Sequence, residues 1–510
     1  MKISKLNIAF ALHLIFFGLV VSDVLPRSLV LYETIALALY LIIAPLEDGL
    51  IFFVRCIPLF IAIPLTATFD NFNQWRIFSG ILFLKFLIFN FKFLNDLKAQ
   101  ISKYKVNLYG KVSVPFIILL ALACLSVFAA DDKIIAIKRI IYFLNASLTG
   151  VVIWYLSKTK EFSERLIKNI AIPTLIVALV GVVQVISTYL MDIYQFMRVW
   201  GEGIQLRQFG EQWSYIATHV GNTWFAYYGD QLSLRVFSLF PDSHSFPIFL
   251  LLGLPAVFAI FRSVRAKALS VGLLFLMVIL SGTRGMWLAG AGAILWSLLI
   301  LLFLKYKKTP QDRKRVFSGI AAYLGLFILL FGVAYPIAAS PQFLLSKPDA
   351  LLLQRRLRSV LDLGETSNAA RIAIWKASWE SIRQKPLLGV GIGNFPVVLG
   401  QDIKLARAGS SAHNLYVQIA AETGMFAFLA LLYLIWLIIR KLYHNFIETK
   451  GTIKEVYAGA LLITIPWVLA YLMTDVAIFD ERALLLFTVT FGLLFSNSHE
   501  LEKRRDEGNR

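Results

Sequence analysis

Long apolar stretches alternate with short polar ones along the whole chain. They occupy 6–22, 28–44, 50–67, 77–91, 112–130, 134–156 and 166–191, then 246–261, 268–281, 285–304, 317–338, 412–440, 457–474 and 480–495. A helix needs about 20 apolar residues to cross a hydrocarbon core, so the pattern predicts an all-α polytopic membrane protein with about fourteen transmembrane helices. The first run follows Met1-Lys2-Ile3-Ser4-Lys5 and no small-x-small cleavage site comes after it, so it reads as a retained helix. A different period appears at 367–386, SNAARIAIWKASWESIRQKP, where Ile372, Trp375, Trp379 and Ile382 recur at steps of three and four. This predicts an amphipathic helix with Ser367 or Asn368 as N-cap, Pro386 just past its end, and the membrane surface as its resting place.

Composition agrees with the pattern. Of 510 residues, 58% are hydrophobic, more than one soluble core can hide. A net charge of +19 would point to nucleic acid in a soluble protein. In a membrane chain the first question is how the charge is divided between the two sides. If the loop 305–315, KYKKTPQDRKR, is cytoplasmic, the same side receives the N-terminus, 92–111, 157–168, 262–267, 440–455 and the tail with Lys503-Arg504-Arg505, nearly all basic. The exception is 45–49, which carries Glu47 and Asp48 and no base. Short loops on the other face carry about one base apiece, Arg27, Arg76, Lys133, Arg284 and Arg482. Both termini are therefore expected in the cytoplasm. The chain divides into N-terminal transmembrane helices (1–191), a first long outer loop (192–245), helices with an arginine motif (246–338), a second long outer loop with the amphipathic helix (339–411), and C-terminal helices with a tail (412–510). Outer loops this long are usually functional or disordered, and both are rich in aromatics. Those of the first, among them Trp200, Trp213, Trp224 and Tyr227, suit either stacking on sugar rings or an interfacial belt. Cys56 and Cys124 lie inside predicted spans and offer neither a disulfide framework nor a thiolate metal site.

Three places on the outer face carry candidate chemistry: LSLRVFSLFPDSHSFP (232–247) with Arg235, Asp242 and His244, LSGTRGMW (280–287) with Arg284 in a tight turn, and SAHN (411–414) with His413 and Asn414 at the start of a helix. Each has an ordinary reading beside the chemical one. Arginines at helix ends snorkel to headgroups or cap carbonyls, and a His-Asn pair before a helix serves as an N-cap with a solvated imidazole. GVGIGNF (389–395) lacks the G-x-G-x-x-G spacing and a preceding strand, so it reads as a flexible turn. Arg55 and Lys85 fall within apolar runs, where an ionisable residue is a functional hypothesis by default. Arg55 is within reach of an end. Lys85 has no assigned partner.

The succession R-x-x-S-x-F-x-D (235–242), S-G-T-R-G (281–285), A-A-R-I-x-I-W (369–375), P-L-L-G-V-G-I-G-N-F (386–395) and A-H-N-x-Y-x-Q-x-x-x-E-x-G (412–424) resembles the O-antigen ligase and polymerase-like membrane proteins over roughly residues 230–435. The resemblance implies a GT-C-like glycosyltransferase in the bacterial inner membrane, inverting, with no metal and no cofactor. It implies an undecaprenyl-diphosphate-linked glycan donor, a lipid or glycan acceptor such as lipid A core, membrane lipids as surroundings, and no nucleic acid. Carried over, the pyrophosphate-binding arginines fall on Arg235 and Arg284 and the catalytic histidine on His413. Arg371, His244, Asp242, Asn414 and Tyr416 are further candidates for substrate contact, with headgroups alone as the other reading of Arg371 and an N-cap alone as that of Asn414. Many members have an Asn where this chain has Ser243-His244, which makes His244 a spare candidate. Within the family the long second outer loop favours a ligase, which joins a finished glycan to a bulky acceptor. A polymerase, joining one lipid-linked repeat to another, is the alternative. A lipid-linked oligosaccharide flippase is the reading from another class, and for it polar groups belong at mid-membrane on broken helices.

Overall fold

The computed structural model describes residues 4–66, 72–90, 113–215, 218, 223–228, 231–304, 310–344, 366–403, 410–448 and 452–496. The basic segments 92–111 and 305–309 and the tail lie outside the described residues. The N-terminal part holds α1 (Lys5–Val21), α2 (Leu29–Ile43), α3 (Leu46–Cys56), α4 (Gln74–Phe89), α5 (Ser113–Ser126), α6 (Lys133–Leu156) and α7 (Lys160–Leu190). Then come α8 (Ser245–Ile260), α9 (Val264–Leu280), α10 (Arg284–Leu304), α11 (Pro310–Ala339), α12 (Thr366–Gln384), α13 (Leu415–Thr423), α14 (Met425–Glu448), α15 (Ile453–Tyr471) and α16 (Glu481–Phe495). Among the described residues, four helices are long and apolar enough to cross a membrane: α6, α7, the Met425–Phe446 part of α14, and α15. Shorter apolar helices, α1, α2 and α8 among them, accompany these.

The centre of the bundle is α8, buried on every side from Ser245 to Val257, as an all-round apolar helix must be. It packs against α7, α9, α15 and α16. Its contact with α7 is close because Gly253 has no Cβ, and one built there would stand 1.9 Å from Thr174 Oγ1.

Two expected continuous spans are broken. The run 50–67 is helical only to Cys56. A 3-10 turn at Ile57–Leu59 follows, containing Pro58, which has no N–H to give a continuing helix. The chain then pairs Ala62–Ile63 (β1) with Phe72–Asn73 (β2), antiparallel. The run 412–440 is two helices, because Gly424 at φ +89° divides α13 from α14. A side chain at Gly424 would meet Leu387 O at 2.1 Å, so only glycine lets the 386–395 segment lie against this junction.

The region 192–245 is not an open loop. It contains short helical segments (Ile193–Phe196, Met197–Gln205, Leu206–Phe209, Glu211–Tyr215) and a hairpin of β3 (Phe225–Tyr228) and β4 (Gln231–Leu234). Phe196, Trp200 and Trp224 are buried. Trp224 stacks on Phe237 with centroids 4.4 Å apart and donates its indole N–H to Pro241 O at 2.9 Å. These rings are core, so neither a sugar platform nor a belt describes them. Tyr194 and Tyr215 remain exposed.

The amphipathic helix is present as α12, but it already includes Thr366, so Ser367 and Asn368 lie inside it rather than capping it. Ile382 is buried against α13, Trp375 donates its N–H to Ala412 O at 2.9 Å, and Trp379 faces outward. One face of α12 is thus used on protein.

The two cations within apolar runs, Lys85 and Arg55, have structural partners. Lys85 donates to Leu41 O at 2.9 Å, to Ile42 O at 2.7 Å and to Ala44 O, satisfying the carbonyls at the end of α2. Arg55 donates to Asn169 Oδ1 at 2.6 Å and Asn7 Oδ1 at 2.8 Å.

Candidate functional site

Arg235 is positioned through its backbone. Its N–H donates to Trp224 O at 2.7 Å, and the next N–H, of Val236, donates to Leu280 O at 3.0 Å at the end of α9. The chain then turns sharply. Ser238 adopts φ +53°, and Gln184 Oε1 receives the N–H groups of Phe237 and Ser238, both at 2.9 Å, while Ser238 Oγ donates to Val177 O at 2.7 Å. Buried polar atoms that are bonded in this way hold a turn that would otherwise be strained. Asp242 caps α8, its Oδ1 accepting from His244 N at 2.8 Å and Ser245 N at 2.7 Å.

The next turn connects to the first through Thr283. Its hydroxyl accepts from Arg235 Nη2 at 3.2 Å and donates to Ser243 O at 3.1 Å. Arg284, half-buried, follows directly as the first residue of α10. Gly285 comes so close to the turn after α15 that a Cβ there would stand 2.2 Å from Thr474 Oγ1.

That turn supplies Asp475, a residue that no motif in the sequence marks. Its Oδ2 lies 2.8 Å from His244 Nδ1 and 4.0 Å from His413 Nδ1. On its other side His244 Nε2 is 3.2 Å from Arg235 Nη2. A guanidinium only donates, so Nε2 accepts, Nδ1 carries the proton, and that proton points at Asp475 and the Tyr471 hydroxyl, 2.9 Å away. Burial pushes the Asp475 carboxyl up, but the His244 and His413 imidazoles outweigh it and hold the group below the usual carboxylate range.

His413 is the most strained member, with φ +46° and about a third of its side chain exposed. The residue before it is clamped at both ends. Ala412 N–H donates to Gln418 Oε1 at 2.7 Å and Ala412 O accepts from Trp375, while Gln418 Nε2 donates to Glu422 Oε1 at 2.6 Å. The glutamine and glutamate of the final motif therefore aim the histidine. GVGIGNF shares in this. Val390 N–H and Gly391 N–H donate at 2.9 Å to Ala421 O and Glu422 O, and Gly389, Gly391 and Gly393 have positive φ, so the segment is fixed rather than a flexible turn.

Of the other sequence candidates, Asn414 caps α13 through Tyr416 N at 3.0 Å and Val417 N at 3.2 Å, and Tyr416 Oη donates to Leu469 O at 2.9 Å. Arg371, half-buried on α12 one turn before Trp375, acts electrostatically on Tyr471 together with Arg235. Arg235, His244, Asp475 and His413 thus form one line, with Thr283-Arg284 beside it and Arg371 nearby. Asp242, Asn414 and Tyr416 are engaged in backbone bonds. A lone aspartate in a short turn has no periodicity or spacing to betray it. Its only signal was its place on the face where the arginines and histidines gather.

Fold and site together define a helical membrane protein whose arginines and histidines, drawn from distant parts of the chain, meet at one end of the bundle. Residues 269–432, about a third of the chain, match the family model described as O-antigen ligase, which supports the resemblance to the O-antigen ligase and polymerase-like family. The match contains Arg284, Arg371 and His413, whereas Arg235 and His244 precede it and Asp475 follows it. No curated protein matches the chain.

Proposed function

We propose that the protein is a glycosyltransferase of the O-antigen ligase type, moving glycan from undecaprenyl diphosphate to a lipid-anchored acceptor on the periplasmic face of the inner membrane. The observation that carries the reading is the convergence of three separate segments, Arg235 with His244, Asp475, and His413, with Asp475 2.8 Å from His244 and 4.0 Å from His413.

Arg235 and Arg284 hold the donor diphosphate. Guanidinium groups keep their charge at any working pH and match phosphate oxygens two at a time. They stabilise the charge that builds up on the leaving diphosphate, the role a divalent cation plays in other transferases. The acceptor hydroxyl oxygen attacks the anomeric carbon from the opposite face. The bond from that carbon to the diphosphate oxygen breaks, its electron pair leaves with undecaprenyl diphosphate, and the hydroxyl proton passes to His413. Inversion follows from attack opposite the leaving group. With Nδ1 turned toward Asp475, His413 presents Nε2 to the acceptor, and the 4.0 Å separation closes to a hydrogen bond when imidazolium forms.

The test is incubation of purified protein with undecaprenyl-diphosphate glycan and candidate acceptors in the presence of a chelator. One discrete conjugate is expected. A ladder of lengths would move the assignment to a polymerase with the same chemistry, and absence of any new glycosidic bond would overturn both. A flippase would carry its polar groups at mid-membrane on broken helices, whereas Arg235, Asp475 and His413 gather at one end of the bundle and Lys85 bonds the last carbonyls of α2.

A further inference from the structure

Two arginines outside this site have no side-chain hydrogen bond or ion pair among the described residues. Arg76, near the start of α4, lies with Cζ 5.8, 5.3 and 5.6 Å from the ring centroids of Phe72, Trp75 and Tyr142. Arg139, in the second turn of α6, lies 6.0, 5.6 and 5.5 Å from those of Tyr142, Phe143 and Phe479. The two guanidinium groups share the Tyr142 ring. Among the described residues neither has a carboxylate or carbonyl within bonding distance, and Arg76 Nε is buried without a partner. The nearby Glu481 is already engaged by Asn73 at 2.7 Å, Trp75 at 2.7 Å and Arg482 at 3.5 Å. Glu422 acts on Arg139 only through space.

Cation–π contact recovers part of the cost of taking a guanidinium out of water, but it satisfies none of its five in-plane donors. Half-buried donors without acceptors, walled by aromatic faces, describe a receptor for a phosphate carried on a sugar. Its place in the fold says which sugar. Tyr142 Oη donates to Phe479 O at 2.8 Å, four residues beyond Asp475 on the same turn. On the other side a Cβ at Gly393 would stand 3.5 Å from Arg139 Cβ, and the Gly393 segment is bonded to α13, the helix that follows His413. The pair therefore flanks the Asp475 turn at the same end of the bundle as Arg235, but on different helices.

We propose that Arg76 and Arg139 form a second anion site, which takes the phosphate of the lipid-anchored acceptor and presents the acceptor sugar to His413. This rests on the transferase reading for its purpose, though not for its chemistry.

The experiment has a binding arm and a turnover arm. In phosphatidylcholine nanodiscs, the Arg235→Gln/Arg284→Gln protein is titrated with glucose 6-phosphate, with glucose as control, and thermal stability is read. Stabilisation by the phosphate ester alone is expected, weakened at least about tenfold by adding Arg76→Gln and Arg139→Gln, since each removes charge-assisted bonds. In turnover, Arg76→Gln or Arg139→Gln in the otherwise native chain is expected to raise KM for a phosphorylated lipid A core acceptor about tenfold, leave KM for the donor within about twofold, and have no effect with the same acceptor after phosphatase treatment. Arg76→Lys and Arg139→Lys keep the charge and guard against misfolding, with an intermediate KM expected. A rise in donor KM, an equal effect on the dephosphorylated acceptor, or no effect of either variant would overturn the proposal. So would loss of the phosphate response in nanodiscs containing phosphatidylglycerol, which would assign the pair to a phospholipid headgroup. If wild-type protein transfers nothing, the transferase reading fails, and the binding arm still decides whether the second site exists.

Discussion

Asp475 Oδ2 stands 2.8 Å from Nδ1 of His244, the imidazole whose other nitrogen receives Arg235. The carboxylate therefore fixes the tautomer that lets histidine and arginine sit together, and it also faces His413. Asp475→Asn can turn its amide N–H toward His244 and reverse the preferred tautomer. Transfer is expected to fall by roughly 10²- to 10⁴-fold, with circular dichroism unchanged. A variant within threefold of wild type would remove Asp475 from the chemistry.

The same carboxylate predicts a pH dependence of stability. Its folded pKa lies below its unfolded one, so the ionised form stabilises the fold above about pH 4, and the contribution is lost as pH falls through the folded value. The Tm advantage of wild type over Asp475→Asn in detergent should shrink as pH falls below about 4. An advantage that grew as pH fell below about 4 would reverse the assignment.

At position 413 backbone and chemistry can be separated. Asparagine tolerates positive φ better than most residues, so His413→Asn should keep the turn at φ +46° while removing the base. Donor KM is expected to hold and kcat to drop by about 10²- to 10⁴-fold. His413→Ala should show the same loss of rate with a lower Tm.

Arg235 and Arg284 are proposed to bind a diphosphate as forks. Arg235→Lys and Arg284→Lys keep a charge but offer a point instead of a plane. Each is expected to raise donor KM about tenfold or more, and Arg235→Lys in addition to lose the bond to Thr283. Donor titrations under single-turnover conditions measure this directly.

Gly424→Ala tests whether the junction between α13 and α14 matters to the site. A Cβ at φ +89° meets Leu387 O at 2.1 Å, so Ala should cost about 1 to 3 kcal/mol or more. Because α13 begins just after His413, activity should fall with stability. Full activity with a lowered Tm would show that the clamp through Gln418 and Glu422 suffices alone.

Sequence pattern made most helices legible because apolar runs and the three-four spacing of α12 are local properties. It failed where a residue's backbone chemistry, not its hydrophobicity, decides, and where the deciding contact is distant. Pro58 ends a helix inside an apolar run, and no hydrophobicity sum registers a missing N–H. The aromatics around Trp224 look like a surface motif until Phe237 and Phe343 cover them. The motifs carrying Arg235, Arg284 and His413 were readable as types of residue at helix ends, and the charge alternation put them on one face. That Asp475 joins them is a fact of packing between α8 and the end of α15, to which local pattern is blind.

The order of the site along the chain bears on when activity can first appear. Arg235 and His244 enter the membrane with the middle of the protein, His413 later, and the Asp475 turn only with the last helical pair. Helices emerge and insert in sequence during synthesis, so a half-made chain holds an arginine and an imidazole but no carboxylate to orient them. On the transferase reading, the nascent chain is therefore expected to gain activity only after the Asp475 turn, which follows α15, has emerged.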